Sequence, residues 1–325
     1  MRRREFFGLA GGAVATACPL VARAQRSLRP PRVVQLSPVD FPAQVNAIRT
    51  QLRELGYEDG RNIRLEFRNT EGNVDRLPSL ALELVEKGDI DVIVTQSTPA
   101  ALAAYRATRT IPIVALAAGD PVARGLAQSL AHPGGNVTGV TIFAEETTAK
   151  RVELMREVVP RAVRLATIIS KVNRGALGLE SFLETSRKLG FTAEVITIDD
   201  PADLTRALGQ DLLAGFDAFV FVPDIVLSAH ITEVLKLINL SNKPAIFPSP
   251  DWVNQGGFMS FGPDIEDATR HLVAQLVRVL KGAKPGDLPF ERPTKFDLRI
   301  NLRVAKALGI ELSPTLVARA NEIIE

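Results

Sequence analysis

The stretch DVIVTQSTPAALAAYRA, residues 91–107, sets two kinds of order back to back. Val92, Ile93 and Val94 form a continuous β-branched run, the pattern of a strand covered on both faces. Ser97 and Thr98 then offer hydroxyls at a helix start, and Pro99 stands in the first turn, where its missing N–H costs nothing. A buried strand running directly into a capped helix is half of a βαβ unit.

The same alternation extends in both directions. Upstream, residues 32–36 read as a strand, 43–56 as a helix closed by Gly56, 62–67 as a strand and 74–87 as a helix stopped at Gly88. Downstream come a strand at 111–116, a short helix near 121–130 and a strand at 137–142. The pattern restarts with a long helix at 145–159, which ends at Pro160. Strands at 165–169, 192–198 and 218–222 follow, separated by helices near 176–189 and 201–213. A helix at 228–240 leads to a strand at 245–247. After a glycine-rich stretch (256–262) come a helix at 265–281, a Pro/Gly-rich link (282–289) and a last strand and helix from about Thr294. Strand and helix alternating throughout predict an α/β protein built from two doubly wound parallel sheets in tandem. The length of 325 residues and a 46% hydrophobic composition suit two lobes.

The first 24 residues stand apart. Arg2, Arg3 and Arg4 precede an apolar stretch to Val21 and a small-residue site, Ala22-Arg23-Ala24, which is the layout of an export signal. Gly8, Gly11, Gly12, Thr16 and Pro19 interrupt the apolar stretch, which falls short of the roughly 20 apolar residues of a spanning helix. Arg3-Arg4-Glu5-Phe6-Phe7 resembles the twin-arginine pattern, with Arg2 and Gly8 departing from it, so the Sec route stays open. Ala15-Thr16-Ala17-Cys18 offers a second processing site of lipoprotein type, with acylation at Cys18. The expected mature chain starts at Gln25.

Residues 1–24 carry four arginines and one glutamate. Their removal lowers the 39 basic and 37 acidic residues of the chain to 35 and 36. A nearly neutral mature protein gives no support to nucleic-acid binding. Cys18 is the only cysteine, so the mature chain has no disulfide, thiolate metal site or cysteine nucleophile.

In an open α/β sheet, ligands bind beyond the carboxyl ends of the strands, where helix starts present backbone N–H groups. The polar and aromatic residues expected there are Ser37, Ser97, Thr98, Asp120, Phe143, Asn173, Asp224, Ser249 and Asp251. Taken singly, most are ordinary caps. Together they suit a small amphoteric solute: Ser97 and Thr98 for a carboxylate, Asp120, Asp224 and Asp251 for an ammonium, and Phe143, Phe247 and Trp252 for an apolar group. His132, His230 and His271 lack metal-ligand spacing, and no nucleophile elbow, phosphate loop or dinucleotide fingerprint occurs. No cofactor is expected.

Several ordered motifs carry a family resemblance: LGYEDGRNI (55–63), DVIV (91–94), TPAALAA (98–104), IPIV (111–114), GDPV (119–122), AHPGGNVTG (131–139), GGFMSFGP (256–263) and LKGAKPGDLP (280–289). PTKF (293–296), Asn301-Leu302 and AKALG (305–309) continue the series. The chain resembles the extracytoplasmic solute-binding proteins of ABC importers that include the tryptophan-binding type. It departs at KVNRG (171–175), where members often carry an aromatic residue or an Asn-Pro pair.

The resemblance implies a type I periplasmic-binding fold with three crossings between lobes and a ligand cleft between them. The lobes would comprise 30–143 with 262–284, and 144–261 with 285–325, after an export signal at 1–24. It implies a periplasmic monomer that binds an amino acid or related carboxylate and delivers it to an ABC permease and ATPase. Membrane contact would then be through the permease only, with no catalysis. Ser97, Thr98, Asp120 and the loop at Asp224 would touch the ligand. A ligand-sensing ectodomain serving a membrane receptor, or an enzyme on the same fold, are the other readings.

Overall fold

The computed structural model describes residues 29–117, 119–171, 178–199 and 204–325. The expected export signal, Cys18 and Asn173 lie outside them.

Two sheets organise the chain. The first joins β1 (Arg32–Ser37), β2 (Arg64–Asn69), β3 (Val92–Thr95), β4 (Ile113–Ala117) and β5 (Val137–Thr141) in the order β2-β1-β3-β4-β5, all parallel. Every residue of β3, β4 and β5 is buried, as the unbroken apolar runs require, whereas the edge strand β2 is only partly covered. The second sheet joins β6 (Arg164–Ser170), β7 (Thr192–Ile198), β8 (Ala218–Val220), β9 (Ala245–Phe247), β10 (Met259–Pro263), β11 (Phe296–Asn301) and β12 (Glu322–Ile324), in the order β12-β11-β10-β9-β8-β6-β7. Each sheet is flanked by two apolar clusters, one per face.

The expected α/β class with two parallel-sheet lobes is present, except that the edge pair β11 and β12, parallel to each other, runs against the rest of the second sheet. β11 runs antiparallel to β10, because the chain enters it from the far lobe instead of through a crossover helix. Three expected helices differ as well. Residues 121–130 form turns, closed by the Leu126 N–H on the Pro121 carbonyl at 2.9 Å, with Gly125 at φ 70°. Of the helix expected at 201–213, the described residues form two short pieces, Leu204–Ala207 and Gln210–Ala214, and the 228–240 helix breaks at His230.

The chain passes between the sheets three times. The first passage follows β5 at Phe143, whose φ of 44° turns the chain into helix Ala144–Val158 on the second sheet. The second leaves β10 through Asp264, which caps helix Ile265–Leu280. That helix buries Leu272, Val273 and Leu276 among Val92, Val94, Val114 and Val140 of the first sheet. The stretch from Pro285 to Glu291, expected with the second lobe, instead lies along β5. Thr138 donates its hydroxyl to the Leu288 carbonyl at 2.8 Å, and the Glu291 N–H reaches the Gly139 carbonyl at 2.9 Å. The third passage therefore begins after Glu291. Gly139 permits this layering, since a Cβ there would lie 1.9 Å from the Ala115 carbonyl of β4.

Candidate ligand site

The passages leave the first sheet at the carboxyl end of β5 and the second at the carboxyl end of β10. The carboxyl ends of β1, β3, β4 and β5 are neighbours in one sheet, and those of β6, β8 and β9 in the other. The loops after these strands are where a ligand between the lobes would be met.

On the first lobe, extended backbone at Ser97 (φ −165°, ψ 158°) lets its hydroxyl accept from the Ala100 N–H at 3.2 Å, starting helix Thr98–Ala107. Pro99 has no N–H to offer, and Thr98 and Gln96 on either side of Ser97 are both buried, the Gln96 Oε1 without a protein partner among the described residues. Ser37 donates its hydroxyl to the Val39 carbonyl at 2.7 Å and so closes its own turn. Asp120 accepts from the Val122 N–H at 2.8 Å, and Thr141 anchors the same loop through the Gly119 carbonyl at 2.8 Å. The half-buried ring of Phe143 lies beneath the Arg292 guanidinium at 3.7 Å, which joins the first passage to the third.

The second lobe departs further from expectation. Asp224, read from the sequence as an ammonium partner, is 4% exposed and committed to the fold. One oxygen accepts from the N–H groups of Val226 and Leu227 at 2.9 and 3.1 Å, capping the helix that follows. The other accepts from the Ser170 N–H at 2.7 Å and hydroxyl at 2.9 Å, tying the end of β6 to the end of β8. Phe247 and Trp252 are likewise no open wall. Their rings stack at 4.8 Å, with Phe221 against Phe247 at 4.8 Å, inside the lobe's core. Ser249 makes no side-chain cap bond and is half-buried, while Asp251 is exposed.

Sequence reasoning missed Glu145, the second residue of helix Ala144–Val158. Burial pushes its carboxyl above the usual carboxylate range, its own N–H and Arg124 pull it back, and Asp120 and Glu146 add to the rise. Its Oε2 is buried with no protein partner among the described residues. A carboxylate in that condition, within electrostatic reach of Asp120, gains from an incoming ammonium. Nothing local in AEETT separates Glu145 from Glu146; the difference is burial alone.

A second group missed lies where the passages meet. Glu291 accepts from Gln275 and pairs with His271, and Asp267 accepts from the N–H and hydroxyl of Thr294 at 3.3 and 3.2 Å. Burial pushes Asp267 up, but the two Thr294 bonds, with His271 and Arg270 nearby, outweigh it and hold the carboxyl below its usual range. Asp267, His271 and Gln275 recur every four residues, a helical stripe visible in the sequence once its partner is known. Among the described residues no group of three potential ligands gathers to hold a metal ion, and no helix is long and apolar enough to cross a membrane.

Comparison with known proteins agrees with this architecture. Residues 36–324 match the family of ABC transporter substrate binding proteins. A tyrosine-binding protein of Clostridioides difficile (strain R20291) is 29% identical over 262 residues, covering 80% of this chain and 74% of that one. The structure of an ABC domain from Streptococcus pneumonia in complex with L-Trp superposes with a TM-score of 0.82 at 27% identity, covering 91% of this chain and all of that one. A conserved domain protein from Vibrio cholerae gives the same TM-score, identity and coverage. The chain belongs to the ABC transporter substrate-binding family and has the type I periplasmic-binding fold.

Proposed function

We propose that this ABC transporter substrate-binding protein captures an amino acid or related small carboxylate, with an aromatic side chain the leading case, and delivers it to an ABC importer. It acts outside the cytoplasmic membrane, in the periplasm, as a monomer that binds without catalysis. One observation carries the reading. The carboxyl ends of the central strands of both sheets carry polar loops, and three passages link the sheets, so the loops can close on a solute from two sides. The relatives that bind tyrosine and L-Trp point to the ligand class.

Within this reading the ligand carboxylate meets Thr98 at the positive end of helix Thr98–Ala107. The ammonium lies between Asp120 and Glu145 rather than on Asp224. A charged hydrogen bond contributes about 1.5–3 kcal/mol, so Thr98→Val weakens binding about tenfold or more. Calorimetric titration with L-tyrosine, L-tryptophan, their carboxamides and benzoate tests the assignment. The acids should bind and the amides should not. Equal affinity for acid and amide contradicts the carboxylate role, and silence across the whole panel contradicts the ligand class.

A further inference from the structure

Arg151 lies in the middle of helix Ala144–Val158, the first element after the first passage, and is 0% exposed. No carboxylate pairs with it among the described residues. One terminal nitrogen donates to the Phe261 carbonyl at 2.9 Å and the other to the Thr148 hydroxyl at 2.6 Å, while Nε is buried without a partner among the described residues. Burial pushes the guanidinium down to about 9, still charged at neutral pH. A buried cation without a counter-ion opposes folding, and an apolar side chain of similar length would fill the same space at less cost. Stability alone therefore gives no reason for an arginine here.

The far end of its hydrogen bond gives one. Phe261 is the third residue of β10, directly before the second passage. The next residue is pinched, because a Cβ on Gly262 would lie 2.1 Å from the Pro248 carbonyl. Asp264 then caps the helix that packs on the first lobe. The Phe261 ring also stacks on Phe296 at 5.8 Å, where the third passage enters β11. One side chain thus connects the helix that follows the first passage with a residue touching the second and the third.

We propose that Arg151 is a positioning residue for the inter-lobe hinge: its fork straps helix Ala144–Val158 to the end of β10 and so sets the angle at which the two lobes meet. The planar fork suits the task because its two terminal nitrogens hold separate acceptors in fixed relation, which a single ammonium cannot do.

The test needs no ligand, so its failure leaves the proposed function standing. In the full chain carrying Cys18→Ser, spin labels are placed on cysteines introduced at exposed Ser79 of the first lobe and exposed Lys236 of the second. Pulsed electron resonance then gives the inter-lobe distance distribution for Arg151, Arg151→Met and Arg151→Lys. Circular dichroism and the emission of Trp252 confirm that each variant is folded. The expected result is a displaced or broadened distribution in Arg151→Met, and a smaller change in the same sense in Arg151→Lys, which can hold one acceptor but not both. A folded Arg151→Met with the original distribution overturns the proposal, even if its thermal midpoint falls, since that outcome is a packing role only. Should Arg151→Met not fold, Arg151→Lys decides: a distribution identical to that of the parent overturns the proposal.

Discussion

Replacing Asp224 by alanine separates a brace from a ligand contact. The carboxylate caps the helix at Ile225 through two N–H groups and holds the N–H and hydroxyl of Ser170, 54 residues away in sequence. Loss of a helix cap costs about 1 kcal/mol. The Ser170 N–H, left buried and unpaired, adds about 1–3 kcal/mol. The expected destabilisation is therefore about 3 kcal/mol, centred on the second lobe. Trp252 is the only tryptophan, and it shares a core cluster with Leu227 of the capped helix. Urea unfolding followed by its fluorescence thus reports on the affected lobe. Asp251→Ala, at an exposed site, is the control and should stay within about 0.5 kcal/mol of the parent. Asp224→Asn keeps one acceptor but turns an amide donor toward other donors, and should fall between. A stable Asp224→Ala, within about 1 kcal/mol of the parent, that had lost ligand affinity would refute the brace and restore Asp224 as a ligand group.

Two further outcomes follow from the geometry. Gly139→Ala forces a methyl group to within 1.9 Å of the Ala115 carbonyl, at a φ of 150° that side chains rarely adopt. It should cost about 3 kcal/mol or more and leave little folded protein, read as yield and thermal midpoint. For Glu145, the folded carboxyl is held above its unfolded value. The cost of its charged form is thus fully present above the folded value and is relieved as pH falls through it. Thermal midpoints between about pH 4 and pH 8 should show Glu145→Gln no less stable than the parent at neutral pH and lacking part of its gain on acidification. The same variant should weaken L-tyrosine more than the analogue without the amine.

Local chemistry made the first sheet legible. The run Val92–Val94 and the cap at Ser97 lie within a few residues of each other, and the structure places both as read. The features that escaped depend on partners far along the chain. Asp224 looks like any polar residue after a strand until Ser170 arrives from β6. His271 looks isolated until Glu291 comes back along β5. β11 cannot be read as antiparallel from its own residues, because its direction follows from where the third passage begins. Phe247 and Trp252 illustrate the opposite error. Position at or just past the end of a strand suggests a cleft wall, yet their mutual stacking fills the lobe's own core.

The central claim, that the two lobes close on a small carboxylate held between them, is tested most directly by small-angle X-ray scattering of the protein alone and saturated with a ligand that binds in the calorimetric panel. Capture from two sides needs a form that the ligand favours over the empty one, since a ligand shifts an equilibrium only through its differential affinity for the two states. The radius of gyration should fall on saturation, and the fall should be lost in Thr98→Val at the same ligand concentration and recovered at a higher one. A saturated protein whose radius of gyration does not change would contradict closure and with it the two-sided site.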